Sequence, residues 1–286
     1  MRRIIVNADD FGRHELINQA VVKGVEEGFL RSATIMTGEN SFGAAVQIAR
    51  DHPTLGVGLH LTLVNGTPVL PPGEIPSLVT DAGTFYPDYG SFVKRYASGK
   101  ISLTEVKAEL AAQLNKAQNA SLILTHLDSH QHLHHLPGIL GIVLKLAQEA
   151  DIPCLRAARP KFTMENPKNS AGNQGGVKQM LGRLGLTMLG ELTAYRAKRR
   201  GFRVPDHFAG IVAGEAVTEK EMQNIILTMS EGVTEVMLHP GTNNAQLAQE
   251  CGWAHDFEAE LNAATSPGLI VMLKERQIIP INFGEI

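Results

Sequence analysis

The sequence predicts an α/β fold, a closed (β/α) barrel of seven or eight parallel strands with its functional groups at the mouth formed by the strand C-termini. Two observations carry this. Short apolar runs alternate with helix-period segments along the whole chain, the pattern of βα units joined by right-handed crossovers. The runs also number eight, which favours closure over an open sheet. At 286 residues, 43% of them hydrophobic, the chain can bury one large core.

In chain order the expected strands lie in "RIIVNA", "SATIMTG", "LGVGLHLTL", "LILTHLDSH", "CLRAA", "RVPDHFAG", "TEVMLHPG" and "IIPINF". Helical patterns fall between most of them, in "ELINQAVVKGVEEG", "FGAAVQIARDH", "LTEVKAELAAQLNKAQ", "GILGIVLKLAQEA", "TEKEMQNIILTMSE" and "SPGLIVMLKERQ". Two longer interruptions, near 64–100 and 159–202, each follow a strand and so belong at the C-terminal face, where barrel loops build sites. The chain is expected to be a single domain over 1–286 with these two insertions. No internal repeat or low-complexity tract is present.

A net charge of -3 gives no global attraction for nucleic acid, and none is expected as a partner. Two cysteines, Cys154 and Cys251, supply neither a disulfide framework nor a Cys-rich zinc site. The opening apolar run is too short for a signal peptide, and no stretch is long enough for a membrane span. A cytoplasmic protein is the expectation.

The first strand ends in "NADDFG". Asp9 and Asp10 stand where an apolar run should be buried, and an unpaired buried carboxylate costs several kcal/mol. One of them could simply cap the next helix. The alternatives are a cation, strong donors or a catalytic use. Five histidines lie in "THLDSHQHLHHLP": His126, His130, His132, His134 and His135, beside Asp128. Imidazoles crowded at a strand end are commonly metal ligands or the groups that orient them. In "GVGLHLTL" strand alternation puts His60 on one face with Gly58 and Thr62. Strand ends converge in a barrel, so Asp9 or Asp10, His60 and one histidine of the 126–135 cluster become neighbours, a set that suits a divalent ion with open positions. Arg156 in "CLRAARP" and His239 in "VMLHPGT" add charge to the same mouth. His14, His52, His207 and His255 have no spacing that ties them to it.

The motifs "NADDFG", "VGLHLTL", "THLDSHQHLHHLP", "LRA" and "LHPG", in this order, resemble those of the YdjC-like carbohydrate deacetylase family over nearly the whole chain. The resemblance implies a distorted (β/α) barrel that uses one divalent metal, zinc or magnesium foremost, to remove acetyl groups from N-acetylated sugars. It implies Asp10, His60 and His130 as metal ligands, Asp9 as general base, His239 as general acid and Arg156 as the residue that orients the base. His126, Asp128, His132 and His134 fall to supporting or substrate contacts. The loop "VNGTPVLPPGEIPSLVTDAGTF" resembles the branch associated with hopanoid biosynthesis, the HpnK-type proteins. That branch implies an N-acetylglucosaminyl hopanoid lipid as substrate. Soluble chitooligosaccharides are the alternative, and a non-catalytic sugar- or lipid-binding barrel is the rival of another class.

Within the second insertion, Val177, Met180, Leu181, Leu184, Met188, Leu189 and Leu192 recur at helical spacing, followed by Arg196, Lys198, Arg199, Arg200 and Arg203. The segment 177–202 is expected to form either a lid on the barrel or a helix that meets an anionic membrane surface. The expected partners are thus an N-acetylated sugar or glycolipid, a membrane touched peripherally, and a second copy in a homodimer.

Overall fold

Among the described residues, eight parallel strands form in the eight predicted runs. They are β1 (Arg2–Phe11), β2 (Ser32–Ile35), β3 (Gly56–Leu61), β4 (His126–Ser129), β5 (Cys154–Leu155), β6 (His207–Ala209), β7 (Gly232–Leu238) and β8 (Ile279–Pro280). The computed structural model describes residues 1–159, 175–211 and 216–286, the side chains of 175–181 and 183 excepted. Seven strands follow one path, β5-β4-β3-β2-β1-β7-β6, and β8 pairs with the first half of β1. The ends of that path meet through a single parallel bridge between Cys154 and Arg203, where the Leu155 amide donates to the Arg203 carbonyl at 3.1 Å. The barrel is therefore distorted on its β5–β6 side.

Strand alternation divides β1 cleanly. Ile4 and Val6 face outward, packing with Val236, Leu238, Met222, Ile226 and Leu269. Ile5 faces inward, into a floor shared with Cys154, Val233, Ile281 and Phe283. Asn7 and Asp9 continue that inward row, so this barrel has an apolar floor and a charged upper interior.

The predicted helices form as α1 (Glu15–Glu26), α2 (Phe42–Asp51), α4 (Leu103–Asn119), α5 (Ile139–Glu149), α7 (Glu219–Thr228) and α10 (Pro267–Glu275). Three more, α3 (Tyr89–Ala97), α8 (Asn244–Glu250) and α9 (Phe257–Thr265), are short, and each begins at an Asp or Asn whose side chain accepts a backbone N–H of the first turn. The helix α6 (Gly175–Arg199) realises the expected helical segment of the second insertion. Its Gly190 lies so close to the barrel that an added Cβ would stand 2.1 Å from the Ala158 carbonyl oxygen. Thr193, Ala194 and Ala197 are buried beside it, whereas Leu184, Met188 and Tyr195 are exposed. Val177, Met180 and Leu181 lie outside the described side chains. Among the described residues no helix is long and apolar enough to cross a membrane.

The first insertion is pinned by α4. Glu109, fully buried, accepts the amides of Val69 and Leu70 at 2.8 and 2.9 Å, and Gln113 exchanges two hydrogen bonds with the backbone of Thr62. Its anchored loop therefore has a defined course beside the end of β3.

Candidate active site

Two adjacent carboxylates can serve different partners only if the backbone turns between them. Regular alternation would send Asp10 outward with Ala8, but Asp10 adopts φ 62°, and the β1–β2 register shifts between Ala8 and Phe11. Asp tolerates this left-handed conformation better than most residues, and a bulge is a common way to re-aim a side chain at a site. Asp9 keeps its inward direction and meets Arg156. Asp10 is brought back over the mouth to His60 and His130.

Asp10 Oδ1 lies 3.3 Å from His60 Nε2 and 2.9 Å from His130 Nδ1. All three residues are buried, and Asp10 Oδ1 and His60 Nε2 have no hydrogen-bond partner. Donors held about 2.0–2.2 Å from one ion stand about 3.0–3.5 Å apart, so these spacings fit a shared cation. His60 donates from Nδ1 to Asp128 Oδ1 at 2.8 Å, so in the neutral ring the lone pair on Nε2 faces Asp10, the orientation a carboxylate–histidine–metal arrangement would need. Asp128 is fixed in turn by the Thr34 hydroxyl at 3.1 Å. Burial alone would lower the His60 pKa, yet the surrounding carboxylates of Asp128 and Asp10 raise it to about 10. The site thus favours positive charge at this ring, so a proton and a metal ion would compete for the same nitrogen. Burial holds His130 below its ordinary value, against the pull of Asp10. Burial would raise Asp10, but His130 and Arg13 outweigh it and hold the carboxyl well below its usual range. Arg13 also clasps Asp10 Oδ2 at 2.9 Å.

Arg156, at the end of β5, is fully buried and binds three carboxylates. Its Nη1 and Nη2 fork onto the two oxygens of Asp9 at 2.6 and 2.7 Å, Nη1 also reaches Asp128 Oδ2 at 2.6 Å, and Nε donates to Glu235 Oε1 at 2.5 Å. Asn7 donates to Asp9 Oδ1 at 2.9 Å. Burial would raise the Asp9 pKa, but the guanidinium overcomes it and keeps the group ionised and aimed. Glu235 was not singled out in the sequence, although its alternation with Val233 and Met237 inside an apolar strand carries the signal. Burial pushes its carboxyl from an ordinary 4.5 up to about 7, in spite of Arg156. Between those two pH values the folded state holds a proton that the unfolded chain releases, so this group lowers stability as pH rises through that window. We expect Glu235→Gln to remove that loss: the stability difference between parent and variant, measured in urea at a series of pH values, should shift toward the variant from about pH 4.5 to about pH 7.

The remaining histidines separate by depth and partner. The His126 ring stacks on Phe283, centroids 3.7 Å apart, beneath the charged layer, and Gly58 leaves room for it. His134 bonds to the Ser129 hydroxyl at 2.6 Å and to the Arg156 carbonyl at 3.1 Å, and His135 pairs with Thr193 of α6 at 2.8 Å. Both tie the 130–135 turn to its surroundings. His132, at φ 56°, turns its ring edge to Phe208. Burial holds it and His135 well below the ordinary imidazole value.

His239 directly follows Leu238, which pairs with Ala8, so it stands across from Asp9 at the adjacent strand end. Its backbone amide donates to Glu260 of α9, and its ring meets Trp253 edge-on at 5.0 Å and His255 at 5.6 Å. In the sequence His255 is set aside for want of a spacing that ties it to the mouth, and the structure instead brings it against His239; Glu260 and Trp253 are not named there, because they sit after the last motif with no strand end to mark them.

Residues 3–275 match the family model described as YdjC-like protein. The chain belongs to the YdjC-like family. A Brevibacillus brevis relative of this family member, named carbohydrate deacetylase, is 33% identical over 99% of both chains. Another of that name, from Geobacillus stearothermophilus, is 29% identical over 99% of this chain and 98% of its own. Among solved structures, an Enterococcus faecalis V583 protein described as a candidate cellobiose-phosphate cleavage protein superposes with a TM-score of 0.76 at 27% identity, covering 99% of this YdjC-like chain and 98% of its own.

Proposed function

We propose that this YdjC-like protein is a metal-dependent hydrolase that removes the acetyl group from an N-acetylated amino sugar. The observation that carries the reading is the pairing of two carboxylates on one strand end, Asp10 among imidazoles and Asp9 on an arginine fork, with His239 across from them. The curated relatives named carbohydrate deacetylase support it. A divalent ion held by Asp10, His60 and His130 would polarise the acetamide carbonyl and make water a better nucleophile. Asp9 accepts the proton that water releases on attacking that carbonyl, and Arg156 keeps Asp9 ionised until then. His239 gives a proton to the departing nitrogen, since an amide anion is a very poor leaving group. The C–N bond breaks, leaving acetate and a free amine. Mass-spectrometric screening of N-acetylated glycans and glycolipids with metal-loaded protein tests the reading: loss of one acetyl group is the expected result, and no turnover across both sets favours a binding barrel.

The finer reading is a glycolipid substrate of the hopanoid type. It draws on the line of exposed apolar side chains Leu184, Met188 and Tyr195 on α6, which runs toward Lys198, Arg199 and Arg200. Apolar residues beside a basic cluster suit an interface with anionic lipid. The protein should bind anionic liposomes in a salt-sensitive way. Glutamate at Lys198, Arg199 and Arg200 together should weaken that binding and leave hydrolysis of a small soluble N-acetylglucosaminide unchanged. Liposome binding untouched by the triple substitution would make α6 a lid.

A further inference from the structure

We propose that His239, His255 and Glu260 form a second metal site, which takes zinc and inhibits the enzyme when filled. One donor atom from each of the three lies within 4.8 Å of the others. His255 Nε2 is buried without a hydrogen-bond partner, 3.3 Å from Glu260 Oε1, and His239 Nδ1 stands 3.9 Å from Glu260 Oε2, beyond hydrogen-bond reach. Two imidazole nitrogens thus face one carboxylate: the 3.3 Å gap at His255 equals the spacing of about 3.3 Å that ligands keep around tetrahedral zinc, and the 3.9 Å gap at His239, to the other oxygen, closes to it with a small shift of the ring.

The site is held before any ion arrives. Glu260 is fixed by the Val217 amide, which donates to Oε1 at 2.8 Å, and by the His239 amide, which donates to Oε2. Each carboxylate oxygen has a second lone pair to offer. Trp253 stacks on the His255 ring at 4.2 Å, and Phe257 meets that ring edge-on at 5.0 Å, so its direction is set by packing. Two histidines and one glutamate are a zinc donor set, whereas magnesium prefers oxygen ligands and retained water. Inhibition follows because zinc on Nδ1 keeps the His239 ring from carrying the proton that the departing nitrogen needs. That half rests on the role given to His239 above; the binding half does not.

Trp253 is the only tryptophan of the chain, so its fluorescence reports on the site. In protein already holding one equivalent of zinc, added Co²⁺ should quench Trp253. Equilibrium dialysis with Zn²⁺ should find two ions per chain in the parent and one in His255→Ala and His255→Gln, with quenching lost in both. Thermal denaturation checks that the variants fold. Two ions and full quenching in the folded variants would overturn the site. In activity assays excess zinc should inhibit the parent and spare His255→Ala; equal inhibition alongside the loss of the second ion would overturn the inhibitory role and leave the metal site standing.

Discussion

Alanine at Asp10, His60 or His130 is expected to remove the divalent ion held between them, one ion per chain, and amide hydrolysis together. Each supplies one of the three donor atoms that face a common point, and losing one leaves a two-ligand site. Asp128→Ala should act on the same property more weakly, by about 10–100-fold in metal affinity, because it orients His60 through Nδ1 and takes no ligand position. Metal analysis of purified variants, with circular dichroism as a folding control, separates these cases. Full occupancy in His130→Ala would transfer that ligand position to another histidine of the 126–135 cluster.

Asp9→Asn should keep the metal and lose roughly 10²–10⁴-fold in turnover, since an amide cannot accept the proton released from water. The substitution preserves shape and one of the two bonds from Arg156, so the protein should remain folded, which circular dichroism checks. Arg156→Met is a harsher change. It strands Asp9, Asp128 and Glu235 without their shared cation, and breaking a buried pair in this way costs about 3–5 kcal/mol. Retained metal with lost turnover in Asp9→Asn assigns the two aspartates as proposed. Loss of one ion per chain in Asp9→Asn beside an Asp10→Asn that keeps it would exchange their roles.

The strands were legible because β-alternation and apolar runs are local. "IIVNAD" already shows Ile5, Asn7 and Asp9 on one side, and the structure carries that row from the apolar floor to the mouth. The turn of Asp10 into the left-handed region was not legible, since it is set by the register shift against β2, a contact across 25 residues of chain. Glu235 was hidden for a related reason: its meaning comes from Arg156, 79 residues away. The helices α3, α8 and α9 were not read from the sequence, although each opens on an Asp or Asn cap that marks a helix start. Glu260 looks like an ordinary helix-surface acid until α9 folds it under the end of β7.

Among the described residues, a single Cys154–Arg203 bridge is the backbone ladder on one side of the barrel. Arg156 stands next to that seam, and its side chain reaches carboxylates on β1, β4 and β7. Parting the seam therefore demands the separation of desolvated charges as well as the loss of the backbone hydrogen bonds that join residues 153–155 to Arg203. The guanidinium that holds Asp9 ionised is also the rivet of the wall, so a chain that loses Arg156 loosens its shape there as well.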